Sequence, residues 1–154
     1  MSLRIIVKHP DPVLREMCKP VQKFNANLHK LLDDMAETMY MAEGVGLAAP
    51  QVGNLKRVVV IDVGSGLLEM VNPEIIDRRG VQVGPEGCLS IPTLMGDVRR
   101  AKWVRARAYD RYGKEFTLEG SDLLARAIQH EIDHLNGVLF IDLAIRIYSS
   151  REHK

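Results

Sequence analysis

The chain has 154 residues, 46% of them hydrophobic and 27% charged, with a formal net charge of +1. That length suits one domain with a sizeable core, and so small a charge, with aromatics at only 5%, predicts no specific nucleic-acid partner. No apolar run reaches membrane-spanning length, no signal-peptide pattern opens the sequence, and there are only two cysteines, Cys18 and Cys88, so the expectation is a cytoplasmic protein with no membrane association and no disulfide scaffold.

Residues 3–7 (LRIIV) read as a short strand, and Pro10, Pro12 and Pro20 make the next stretch an extended loop. Residues 27–43 read as a helix with an apolar stripe of Leu28, Leu31, Leu32, Met35, Ala36 and Met39, capped by Asn27. The segment 44–53 (GVGLAAPQVG) carries almost no side-chain bulk. It suits either a tight turn or a backbone that something approaches closely. It lacks the third glycine of a dinucleotide fingerprint and the Gly-Lys-Ser/Thr ending of a phosphate loop. Gln51 is its one residue with hydrogen-bonding reach.

Residues 56–63 (KRVVVIDV) read as a strand, 64–66 as a turn, and 67–71 as a second strand ending at Asn72-Pro73. Two more short strands are expected at 75–76 and 81–83, followed by a loop over 84–92. Residues 98–109 alternate as one long half-solvated strand with its arginines toward water. A turn at 110–113 leads to a strand over 114–118. A helix follows, with Gly120-Ser121 at its start and Asn136-Gly137 at its end, then an extension at 138–141 and a short charged tail. No linker or repeat interrupts the pattern, so residues 1–154 are expected to form one domain. Its class is α+β, with mostly antiparallel sheets packed around a central metal-binding helix and an N-terminal helix.

That central helix carries His130-Glu131-Ile132-Asp133-His134, an H-E-x-x-H pattern. Side chains four apart share one helix face, so the two imidazoles can grip one metal ion. Glu131, beside the first of them, can reach a water on the ion without ligating it. The motif alone also fits a surface helix with two histidines. A catalytic site needs a third ligand and an open position, and helical spacing does not say which residue supplies that ligand.

Three patches resemble, in order and separation, the signatures of bacterial peptide deformylases: GVGLAAPQ at 44–51, EGCLS at 86–90 and QHEIDH at 129–134. The resemblance covers nearly the whole chain. It implies a metal-dependent hydrolase of N-terminal processing in protein biosynthesis, which removes the formyl group from N-formylmethionyl nascent peptides and releases formate. It implies Cys88, His130 and His134 as ligands of one divalent ion per chain. Fe²⁺ is expected in the cell, with Zn²⁺, Ni²⁺ or Co²⁺ able to occupy the site. It implies Glu131 as general base and the Gln51 amide and Leu89 backbone N–H as donors to the developing oxyanion. Val45, Gly46 and Gly87 would meet the peptide main chain. Gly84, Glu86, Leu123, Arg126, Ala127 and His130 match the positions that line the methionine pocket, Arg126 through its aliphatic stem alone. Asp133 and Arg100 are candidates to pair and brace the helix, and Glu43 to accept a ligand N–H. The ribosome is an expected transient partner, through Arg146, Arg151 and Lys154 at most, because the tail is short. The alternatives are a zinc endopeptidase, a structural metal site and a catalytically silent relative. The first usually draws its third ligand from beyond the helix and the second is normally closed by four protein ligands.

Overall fold

The computed structural model describes residues 2–153, without the side chains of 152 and 153. The expectation for Lys154 falls outside the described residues. The N-terminal helix α1 spans Ala26–Met41. Its cap is Asn25, not Asn27: the Asn25 side chain accepts from the Leu28 N–H at 3.1 Å. The strands are β1 (Gly46–Ala48), β2 (Val58–Ile61), β3 (Leu68–Arg79), β4 (Gln82–Cys88), β5 (Ile91–Arg100), β6 (Trp103–Tyr109) and β7 (Glu115–Ser121). The metal-motif helix α2 is Asp122–Leu135, followed by the single turn α3 (Phe140–Leu143) and a last strand β8 (Arg146–Ser149). Every strand pair is antiparallel, in a five-stranded sheet β1-β2-β3-β6-β7 and a three-stranded sheet β4-β5-β8. The expected α+β arrangement, mostly antiparallel with an N-terminal helix and a helix carrying the two histidines, is what the structure shows.

The larger sheet lies between the two main helices. In β2, Val58 and Val60 pack with Leu28, Leu32 and Met35 of α1, whereas Val59 and Ile61 pack with Ala125, Ile128 and Ile132 of α2. All four are fully buried, because both faces of the strand are covered. The smaller sheet has its own core, in which Ile91 and Val98 meet Leu14, Leu139 and Phe140.

Four expectations need correction. Residues 3–7 form no regular strand. Backbone amides there are taken by side chains of α1, Ser2 N–H by Asp34 and Arg4 N–H by Thr38, and Val7 N–H bonds the Gln51 carbonyl. The two strands expected on either side of Asn72-Pro73 are one strand, β3, with a bulge. Asn72 takes a positive φ of 50° there, and its side chain bonds both backbone groups of Val21. The loop expected over 84–92 is mostly strand, with a tight turn at Leu89-Ser90. The long strand expected over 98–109 is two strands in different sheets. The break is at Ala101, whose N–H and C=O both bond the Gln129 side chain of α2, at 3.0 Å each. That amide replaces the ladder partners that would have continued the strand. Of its arginines, Arg100 is buried. The charged tail also holds a strand, since β8 pairs with β5.

Asp34 ties the N-terminal segment to α1. It is 1% exposed and accepts from Ser2 N–H, Arg4 and Lys30. Burial alone would raise its pKa, but the Ser2 amide, Lys30 and Arg4 outweigh that and lower it to about 2. A carboxyl depressed in the folded state contributes stability that is present above its unfolded pKa and is lost as pH falls through the folded one. Asp34→Asn is therefore expected to lower the urea midpoint at neutral pH and to flatten its decline between about pH 4 and pH 2. Parallel declines in the two proteins would remove Asp34 from the acid response.

Candidate metal centre

Helix α2 begins after Ser121 and ends at the Asn136 cap, with Gly137 at φ 74° beyond it. Its C-terminal end is held from outside. Arg57 donates to the Leu135 carbonyl at 3.1 Å and to the Asn136 side chain at 3.0 Å, and Cys18 N–H bonds the same Leu135 carbonyl at 2.9 Å. His130 and His134, one turn apart, are both buried, with ring centroids 5.1 Å apart. Cys88 ends β4 at the turn facing them, its Sγ 3.3 Å from His134 Nε2. One donor atom from each of Cys88, His130 and His134 lies within 4.8 Å of the others.

This donor set fits a divalent cation. A thiol and two imidazoles suit first-row transition metals, and the group has three members among the described residues, which leaves an open position and not a closed structural site. His130 Nδ1 is taken by Glu86 Oε1 at 2.8 Å, so Nε2 is the nitrogen left to ligate. The surroundings also attract positive charge. Burial would lower the pKa of His130, but Cys88 and Glu86 raise it well above its ordinary value. Burial and the neighbouring His130 push His134 well below its own, toward the neutral imidazole a metal needs. His134 Nδ1 and Glu131 Oε1 are buried without a hydrogen-bond partner.

Glu86 sets the position of these ligands. Its carboxylate takes Arg100 in two bonds of 2.8 and 2.9 Å, Arg126 at 2.6 Å and His130 at 2.8 Å. Burial would raise its pKa, and Arg100 and His130 instead hold it well below the usual carboxylate range. Arg100 reaches on to Asp133 at 2.5 Å, so the expected Arg100–Asp133 pair is present. The carboxylate that takes a ligand N–H is thus Glu86 and not Glu43, which lies exposed on the cavity rim.

Glu131 and Gln51 flank the ligands. The Glu131 carboxylate lies against β1 so closely that a Cβ on Gly46 would stand 2.4 Å from its Oε2. Burial pushes its pKa up to about 7. Gln51 Oε1 accepts from the Ala48 N–H at 2.9 Å, which turns Nε2 toward Ser90 Oγ at 3.1 Å and Cys88 Sγ at 3.4 Å. What the bare segment admits is thus partly the chain itself, since Glu131 fills the space beside Gly46 and the Leu89 side chain that beside Gly44.

A cavity of about 460 Å³ opens in front of this centre. Of the residues singled out in the sequence, Val45, Gly46, Gln51, Glu86, Gly87, Cys88, Leu89, Leu123, Arg126, Ala127, His130 and Glu131 line it. His134 lies deeper. Gly84 stands outside the lining, its carbonyl bonded by Arg126 Nη1 at 3.3 Å. The Arg126 guanidinium also donates to the Val98 carbonyl, so its charge is spent inside the protein. Sequence reasoning missed the roles of Ser90 and Gln129 and the Ile91-Pro92 part of the β5 wall, which Leu94 and Met95 continue. The Ser of EGCLS and the Gln of QHEIDH were the available signals for the first two.

The family model for polypeptide deformylases matches residues 3–149. The peptide deformylase of Thermoanaerobacter pseudethanolicus is 58% identical over 152 residues, 99% of this chain and 96% of that protein. Peptide deformylase 1 of Bacillus anthracis is 55% identical over 154 residues, 99% of each chain. The crystal structure of the Thermotoga maritima peptide deformylase aligns with a TM-score of 0.91 at 44% identity, over 94% of this chain and 99% of that one.

Replacing Glu86 by Gln removes the charge that offsets two buried guanidiniums. The expected cost is about 3–5 kcal/mol of unfolding free energy, as for a broken buried ion pair. Metal affinity should fall by about 10–100-fold through the lost support to His130. Urea unfolding and competitive metal titration check the two effects separately. Wild-type stability would assign the hold on the helix to packing alone.

Proposed function

The chain belongs to the polypeptide deformylase family, and on that premise we propose a residue-level account of how it removes the N-formyl group from nascent peptides. The activity is hydrolysis of an amide to formate and a peptide with a free N-terminal amine, at a Cys88–His130–His134 metal site. Bound there, a divalent ion supplies Lewis acidity, which acidifies water and polarises a carbonyl.

The remaining work falls to side chains. Glu131 takes the proton of the attacking water as the oxygen bonds to the formyl carbon. As that carbon becomes tetrahedral, charge gathers on the formyl oxygen, and the Gln51 Nε2 amide and the Leu89 backbone N–H are the donors aimed at it. The carbon–nitrogen bond then breaks, and Glu131 passes its proton to the departing amine. The observation that carries this reading is the Glu131 carboxylate itself: buried beside the ligands, raised to about 7, with Oε1 unpartnered. A group with that affinity can both accept and release a proton near neutral pH.

The peptide main chain would run past Val45 and Gly46 on one side and Gly87 on the other, read as an added strand. The methionine side chain would enter between Glu86, Leu123, Arg126, Ala127 and His130, with Gly84 giving room behind Arg126. The ion in the cell would be Fe²⁺, with Zn²⁺, Ni²⁺ or Co²⁺ as substitutes, and the reducing cytoplasm would keep Cys88 reduced and able to ligate. Contact with the ribosome would be transient.

The test is formate release from formyl-Met-Ala-Ser by anaerobically purified protein, with metal measured on the same sample. Rapid release with about one Fe²⁺ or Ni²⁺ per chain is expected. Bound metal without release, even after reloading, would overturn the account. Glu131→Gln is expected to keep its metal and fold and to lose several orders of magnitude in kcat. A near-normal rate would remove Glu131 from the mechanism.

A further inference from the structure

The rim segment 43–46, along which the peptide would add, is anchored at both ends by backbone bonds. Helix α1 closes in a Schellman turn, with Glu43 N–H on the Tyr40 carbonyl at 3.0 Å and Gly44 N–H on the Met39 carbonyl at 2.9 Å. Glu43 occupies the left-handed position of that turn, at φ 60°, where glycine is the usual residue. At the other end Asp62, just past β2, donates its N–H to the Val45 carbonyl at 2.8 Å. Strand β1 is the outermost of its sheet, and with Val45 turned to β2 the backbone groups of Gly46 face the open edge. All four residues of the segment line the cavity.

A side-chain bond joins the two anchors. The Tyr40 hydroxyl, on the last turn of α1, donates to Asp62 Oδ2 at 2.6 Å. Asp62 Oδ1 accepts from the Gly64 and Gly66 N–H groups at 2.8 and 3.3 Å, so the same carboxylate folds the loop after β2. The bond raises the pKa of the Tyr40 hydroxyl and lowers that of the Asp62 carboxyl, which keeps the proton on the tyrosine. Neither side chain lines the cavity.

We infer that Tyr40 and Asp62 are positioning residues for substrate binding, whose bond keeps segment 43–46 in the shape an incoming peptide pairs with. The inference rests on the peptide path proposed above. A residue in a sparsely populated conformation, such as Glu43, stays there only while its surroundings hold it. With the hydroxyl gone, the peptide itself must order the rim as it adds, and that cost is subtracted from binding. Once the peptide is bound the rim is ordered again, so the loss falls on KM and not on kcat.

The experiment measures KM and kcat for formyl-Met-Ala-Ser on Ni²⁺-loaded wild type, Tyr40→Phe, Asp62→Ala and the double variant. Exchange of the Gly44 and Asp62 amides is followed by NMR in the Zn²⁺-loaded proteins. Tyr40→Phe removes the hydroxyl and keeps the ring. It is expected to raise KM about fivefold at unchanged kcat and to speed exchange at both amides by a similar factor. Adding it to Asp62→Ala is expected to change nothing further, because the partner is already absent. Wild-type KM in Tyr40→Phe, unchanged exchange at both amides, or fully additive effects in the double variant each overturn the inference and leave the deformylase reading standing. A fall in kcat with KM unmoved assigns the bond to general stability and overturns it as well. No release by the wild type overturns both.

Discussion

The geometry of the site depends on one buried carboxylate. Glu86 leaves β4 two residues before Cys88 and meets a guanidinium from β5, another from α2 and the ring of His130. The smaller sheet and α2 meet mostly through polar groups, with Arg126 also bonding the Gly84 and Val98 carbonyls, Gln82 the Asp122 carbonyl, and the His130 ring stacked on Phe140. The hydrophobic cluster of that sheet includes no residue of α2, whose apolar face is spent on the larger sheet. The junction that brings Cys88 to the two histidines is therefore largely ionic and hydrogen-bonded. Buried charges are costly when isolated, and this set is stable because each member satisfies another.

Two glutamine amides finish what the charges begin. Gln129 takes the N–H and C=O of Ala101 and so fixes where the chain crosses from one sheet to the other. Gln51 uses its oxygen on β1 and presents its nitrogen to Cys88 and Ser90. Both work by occupying backbone or neighbouring polar groups that burial would otherwise leave unsatisfied. Helix α2 is thus held at its end by Arg57, along its flank by Gln129 and across the site by Arg126. The ligands it carries are positioned by elements far apart in sequence.

The helical parts were legible because their signals are local. The apolar stripe of α1 and the four-residue spacing of His130 and His134 follow from helix geometry alone, and β2 announced itself as a β-branched run. What was hidden depended on distant residues. The alternation over 98–109 is real on both sides of Ala101, and only Gln129 reveals that the strand changes sheets there. Asn72-Pro73 looks like a strand ending until Val21 supplies partners for the Asn72 side chain. Strand β8 was masked by charged neighbours, although Ile145 just before it and Ile147 within it alternate with polar residues. At the site, the EGCLS pattern drew attention to Glu86 as a wall of the cavity. That its carboxylate binds Arg100, Arg126 and His130 at once is a property of the packed fold.

The close approach of Glu131 to Gly46 bears on how such a sequence can change over generations. At position 46 even the smallest side chain that could replace hydrogen must displace the Glu131 carboxylate, so a substitution there changes the placement of that group. Position 45, next to it, carries a valine that is 47% exposed. Drift around this cavity should therefore be confined to its rim and outer wall. The floor beside Glu131 should stay fixed for as long as that carboxylate is under selection.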